Sequence, residues 1–287
     1  MTFVELILAL MILGIITAMV TSSLGLAKKK AMRSRCMSNL KLIGVSLRSF
    51  SEDNDARFPW LMTQRDAAAL WQLVYGGEHT GYHHCWDVRF IFLPPSIRFQ
   101  LGTAEPLASP CDPHVIAQKA HENNIGIFDK FGGRFDGAHF HMSRKALSYA
   151  VHLGSDPQLT STILATTRNI VGTPGYEFEY PATKTAPAWN DYLGCSLRAA
   201  DDFGEKQLYV GATHQKFEER QWHAMGSLEP SQGQMLFSDG SARLMGNLRL
   251  KEAIYDHSQQ TGGLTEKPNE NLSRPTQREA DGDYFVK

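Results

Sequence analysis

Cysteine is scarce in this chain, and no two of its four copies form a CxxC pair, so the usual zinc and redox signatures are absent. The four, Cys36, Cys85, Cys111 and Cys195, are widely spaced. An even number suits one or two disulfides in an oxidising compartment, and buried thiols account for them almost as well. A basic excess is missing too. With 29 Lys and Arg against 30 Asp and Glu, the net charge is −1, which lacks the electrostatic footprint of a nucleic-acid binder. Catalytic signatures are also lacking: there is no G-x-S-x-G elbow, Walker A loop, G-x-G-x-x-G or H-E-x-x-H. The expectation is neither an enzyme nor a partner of nucleic acid. No internal repeat is evident.

The most telling absence is local. From Leu6 to Leu26 there is no charged residue, and Lys28-Lys29-Lys30 end the run abruptly. At 1.5 Å per residue such a segment spans a hydrocarbon core of about 30 Å. A cleavable signal peptide would open with basic residues, whereas this chain opens Met-Thr-Phe-Val-Glu. An ordinary anchor leaves Glu5 unexplained, because a carboxylate near the end of a spanning helix is costly and marks function by default. It also leaves the lysines on the wrong side, since the positive-inside rule would hold the downstream chain in the cytoplasm.

Helical periodicity continues past the lysines. Cys36, Leu40, Ile43, Leu47 and Phe50 are spaced 4, 3, 4 and 3, with Arg33, Arg35, Asn39, Lys41 and Arg48 opposite. Ser51-Glu52-Asp53-Asn54 and then Phe58-Pro59 stop the pattern. The prediction is one helix over residues 1–52, roughly 75 Å long. Its first half is apolar all round and needs partners on every side; its second half has one apolar face and needs a body to lie against.

Met1-Thr2-Phe3-Val4-Glu5-Leu6 resembles the mature start of type IV pilins and type II secretion pseudopilins. Their pattern is an apolar residue, Thr, an apolar pair, Glu and Leu. The resemblance implies a leader removed just before Met1, an N-methylated Met1 amine, and assembly through Met1, Phe3, Glu5, Leu6 and the helix-loosening Gly14. Met1 stands where the family more often has Phe, and Ser22 stands where many pilins have a helix-breaking Pro. Residues Arg35-Cys36-Met37-Ser38-Asn39-Leu40-Lys41-Leu42-Ile43-Gly44 look like a segment of the pseudopilin G-like proteins abundant in Planctomycetes and Verrucomicrobia. Fainter echoes are Arg57-Phe58-Pro59, Ser109-Pro110-Cys111-Asp112, Ser148-Tyr149-Ala150 and Met235-Leu236-Phe237-Ser238-Asp239-Gly240. There Ser241-Ala242 replaces the group's His-Val.

Beyond the helix, Trp71–Tyr75, Phe90–Leu93 and Gln207–Val210 read as strands. Asp66–Val74 and Pro113–Ala120 read as short helices, so the first strand and first helix overlap. Asp239-Gly240 between two apolar runs predicts a two-residue hairpin tip. The fold class expected is α+β, a stalk helix packed on a C-terminal antiparallel sheet. Residues 1–26 form the membrane or filament-core half, 27–54 the amphipathic half, 55–257 the head, and 258–287 a polar arm. The stretch between about 60 and 145 is expected to decorate the outer surface.

Metal candidates are few. His139 and His141 share a face if Ala138–Met142 is a strand, with His83, His84, Cys85 and Asp87 as another grouping. The pseudopilin G resemblance raises calcium, for which Asp201, Asp202 and Asp239 offer oxygen ligands, although none lies in a D-x-D-x-D-G loop. No other cofactor is expected.

The resemblance as a whole implies a subunit held once across the bacterial inner membrane and then drawn into a helical homopolymer at the surface or in the periplasm. A prepilin peptidase and an assembly machinery would handle it. The alternative is a minor or tip subunit whose enlarged head binds a secreted substrate or surface ligand, with Trp60, Trp71, Trp86, Trp189 and Trp222 as candidate contacts.

Overall fold

A computed structural model describes residues 2–75, 91–113, 133–136, 139–142, 148–152, 155–171, 208–209, 225–229 and 231–260. The chain begins with α1 (Phe3–Asp53), a single helix of 51 residues, about 76 Å at 1.5 Å per residue. The residues of the predicted stripe, Cys36, Leu40, Ile43, Leu47 and Phe50, are all fully buried. Each large aliphatic or aromatic side chain among them stabilises the docked helix by roughly 1.5–3 kcal/mol. The helix ends where Asn54 turns its amide onto the Phe50 carbonyl (2.7 Å) and Asp55 and Ala56 take left-handed φ values of 53° and 54°.

Against this half of α1 lies a four-stranded antiparallel sheet in the order β3 (Tyr149–Val151), β4 (Ile163–Thr167), β7 (Gln232–Phe237), β8 (Ala242–Gly246). Two further pairs are β1 (Gly133–Asp136) with β2 (His139–Met142), and β5 (Ile170–Val171) with β6 (Leu208–Tyr209). The α+β class follows from this arrangement. Period-two alternation sends Tyr149, Val151 and Leu236 toward α1, while Ala150, Met235 and Phe237 face the other way. A bulge in β4 between Ile163 and Ala165 adds both Leu164 and Ala165 to the α1 side. Gly44 of α1 allows close approach: a Cβ there would lie 3.2 Å from both methyl carbons of Leu236.

The second face of the sheet is covered by a helix the periodicity reading did not anticipate, α4 (Asn247–Gln260). Leu250, Ala253 and Ile254 bury onto Ala150, Ile163, Met235, Phe237 and Met245. The central strands are therefore apolar on both faces, which is why Met235-Leu236-Phe237 reads as a continuous apolar run. The expected polar arm from residue 258 is corrected accordingly: α4 continues to Gln260.

Three other expectations are overturned. Trp71–Tyr75 belongs to α2 (Gln64–Tyr75), a helix started by Thr63, whose hydroxyl accepts the Asp66 N–H (3.3 Å). Ile91-Phe92-Leu93 is a fully buried turn rather than a strand, leading into α3 (Pro95–Leu101) beside α1. The described residues between 60 and 111 are no surface decoration, since Trp60, Trp71, Ile91, Phe92, Leu93, Ile97 and Leu107 fill the same core as the α1 stripe. Trp60 and Trp71 are consequently unavailable as surface contacts, and the Trp60 indole donates to the Ser155 carbonyl at 2.9 Å. Trp86, Trp189 and Trp222 lie outside the described residues, as does all of Pro113–Ala120 after its first residue.

The predicted hairpin is present, with a different tip. The Phe237 N–H donates to the Ser241 carbonyl and the Gly240 N–H returns to the Phe237 carbonyl, both at 2.9 Å. Three residues, Ser238, Asp239 and Gly240, therefore form the loop, with Gly240 alone at positive φ (82°). This is a type I turn closed by a glycine bulge, not the two-residue turn that Asp-Gly suggests. The Asp239 carboxylate accepts the Ser241 N–H (2.7 Å), and the Ser238 hydroxyl meets that of Thr162 (2.7 Å), docking the tip on the loop before β4.

Candidate assembly interface

The first turn of α1 is organised by Thr2 and Glu5. Thr2 is the N-cap, its hydroxyl accepting the Glu5 N–H (3.4 Å), while the Glu5 carboxylate accepts the Thr2 N–H (2.7 Å). This is a reciprocal capping box, with the carboxylate at the positive end of the helix dipole. Glu5 is thus used within its own chain. A carboxylate has about four lone-pair sites on two oxygens, so accepting one N–H leaves capacity for a cation from outside.

From Phe3 onward the apolar half projects away from the head. Phe3 is 77% exposed and Leu6 48%, and the run continues through Leu26 at 70%. No part of its most apolar window is buried within the molecule, and α1 is long and apolar enough to cross a membrane. Gly14 has open space where a Cβ would lie. Three hydroxyls of this half bond back to their own helix: Thr17 donates to the Leu13 carbonyl (2.7 Å), Thr21 to the Thr17 carbonyl (2.7 Å) and Ser23 to the Val20 carbonyl (2.9 Å). A hydroxyl satisfied by its own helix can enter hydrocarbon or a helix bundle without leaving an orphaned donor.

The head takes hold of α1 at Met32 and Arg33. The Arg33 guanidinium bonds the Ser227 carbonyl and pairs with Glu229, and the Ser227 hydroxyl contacts the Met32 sulfur (3.1 Å). Gln234 donates to the Arg33 carbonyl (2.9 Å), Asn39 to the Ala108 carbonyl (3.4 Å) and Tyr149 to the Cys36 carbonyl (3.4 Å). These bonds, laid beside the buried stripe, fix the helix in register on the head. Everything N-terminal to them is presented to whatever surrounds the molecule.

Of the other sequence candidates, Met1, Cys85, Asp201, Asp202 and Cys195 lie outside the described residues, as do His83, His84 and Asp87. His139 and His141 alternate on β2 opposite Asp136 and Arg134. Among the described residues no three His, Cys, Asp or Glu gather as a metal site. Asp239 belongs to its turn. Cys36 and Cys111 are buried and unbridged, and they come together.

Two polar features escaped the sequence reading. Arg168 makes a two-pronged, fully buried pair with Asp112. His257 of α4 accepts the Ile163 N–H at Nδ1 (3.0 Å) and lies 4.3 Å, ring to ring, from His152. The spacing of Leu250, Ala253, Ile254 and His257, positions i, i+3, i+4 and i+7, was a signal for α4.

No family model, characterised protein or solved structure matches this chain.

Proposed function

We propose that the chain is a structural filament subunit, held in a membrane by the N-terminal half of α1 before that half packs among identical helices. The observation carrying this reading is the split character of one unbroken helix. The run from Leu6 to Leu26 is uncharged and projects its large apolar side chains outward, and the segment from Cys36 to Phe50 buries a single stripe in the head. A helix apolar all round has no stable place in water, and a bundle of its own kind satisfies it as well as lipid does.

Glu5 supplies register in this reading. Within the subunit its carboxylate closes the capping box. Within the filament it also meets the Met1 amine of a neighbour. Two charges in a nearly dry core are each costly alone, and pairing offsets much of that cost. Only one axial offset brings them together.

The test is Glu5→Gln. The amide keeps an oxygen for the Thr2 N–H but loses the charge, so the protein should insert and fold as before while filaments sheared from cells, counted by electron microscopy, largely disappear. Filaments at the wild-type yield would restrict Glu5 to the helix cap.

A further inference from the structure

Cys36, one turn after the head takes hold at Met32 and Arg33, is the first fully buried residue along α1 among those described. Its sulfur accepts a hydrogen bond from Ser109 (3.1 Å) and contacts the Tyr149 hydroxyl (3.4 Å). The same Ser109 hydroxyl accepts the Cys111 N–H (3.1 Å), so one side chain bridges both cysteines. The two thiols are close enough to influence each other. Burial pushes the Cys36 thiol well above its ordinary range, and the neighbouring Cys36 lowers that of Cys111.

The segment bearing Cys111 is anchored on three sides. Asp112 pairs with Arg168, the Cys111 carbonyl accepts the Gly226 N–H (2.7 Å), and the Leu107 carbonyl accepts the Ser148 N–H (2.9 Å).

We propose that Cys36 and Cys111 form a disulfide in the mature protein, a covalent staple between the stalk helix and the head at the place where the helix leaves it. The inference rests on the proposed function only for its compartment, an oxidising one outside the cytoplasm. The chemistry is thiol–disulfide exchange with an oxidant of the disulfide class. The two thiols give up two protons and two electrons, one S–S bond forms between Cys36 and Cys111, and the oxidant's S–S bond breaks to leave two thiols. Both sulfurs are buried once the core closes, so exchange takes place while the helix is still undocked. The bond joins positions far apart in sequence, the arrangement that most restricts an unfolded chain. It also bears load: the non-covalent grip at Met32 and Arg33 meets tension along α1 first, and the staple a turn later passes it covalently toward the Asp112–Arg168 anchor.

The experiment uses full-length protein from the cells that make it, alkylated under denaturing conditions and mapped without reduction. The expected result is a Cys36 peptide linked to a Cys111 peptide. Alkylation of both thiols, or linkage of either to Cys85 or Cys195, overturns the staple. Protease treatment of spheroplasts separates this failure from that of the filament reading. Free thiols in a head cleavable from outside sink the staple alone, whereas a protected cytoplasmic head removes the filament reading as well. In detergent, dithiothreitol should lower the melting temperature of the wild type to that of Cys111→Ser and leave the variant unmoved. An equal effect on both proteins would also overturn the proposal.

Discussion

The ring of Tyr209 lies across Gly233 so closely that a Cβ at position 233 would be 2.0 Å from a ring carbon. The ring is held there, its hydroxyl bonded to Thr166 (2.8 Å) and its backbone N–H to the Asn247 side chain (2.7 Å). Gly233→Ala must therefore displace the ring and strain the contact between β6, β7 and the start of α4. The expected loss is about 1–3 kcal/mol, the usual cost of overpacking. Urea unfolding in detergent, followed by the fluorescence of buried Trp60 and Trp71, would measure it. A midpoint equal to the wild type would mean that Tyr209 does not pack on Gly233.

The hairpin tip makes a narrower claim. A Cβ at Gly240 would touch nothing within 4 Å, so any penalty there comes from its φ of 82°. Gly240→Val is expected to destabilise by about 1 kcal/mol or more, and Gly240→Asn by less, because asparagine tolerates the left-handed region. Equal melting temperatures for the two variants would contradict the glycine-bulge turn.

At the buried ion pair, removing one partner strands the other. Asp112→Ala should cost about 3–5 kcal/mol, while the double replacement Asp112→Leu with Arg168→Met should cost much less. The double variant therefore serves as the control for lost packing. Losses that simply add would show that the two side chains do not act as a unit.

His257 makes the head sensitive to acid. Its Nδ1 accepts a backbone N–H, which requires the neutral ring, and burial followed by the nearby His152 pushes its pKa well below the ordinary 6.5. The unfolded chain then takes up a proton at a pH where the folded chain refuses it. Stability is fully present above about 6.5 and is lost as pH falls from there toward the depressed value. His257→Gln, which can still accept the Ile163 N–H, should flatten the slope of unfolding free energy between about pH 7 and about pH 5. An unchanged slope would assign the acid sensitivity to other groups.

How far the sequence disclosed this fold depended on how many bodies each element touches. The buried stripe of α1 was legible to the residue because one helix face meets one head, so period and burial coincide. The place of the hairpin was legible from Asp239-Gly240, but not its loop length, which depends on Phe237 facing Ser241 across the ladder. In α4 the inward positions include Ala253 and His257, too small and too polar to stand out beside Leu250 and Ile254. Ile91-Phe92-Leu93 misled for the opposite reason: a short apolar run is equally at home in a strand and in a buried turn. In the first turn of α1, Glu5 was evident from its awkward place in an apolar run. Its bond to Thr2 follows from the three-residue spacing of a capping box.

The sheet buried on both faces has a consequence for the order of events in the cell. One face waits for α1, near the start of the chain, and the other waits for Leu250, Ala253 and Ile254 of α4, far along it. Strand β7, at the centre, cannot pair with β4 and β8 and bury both sides until nearly all the described chain has been synthesised. Contacts so distant in sequence make folding slow. The sheet therefore cannot bury both of its faces until α4 has emerged from the ribosome.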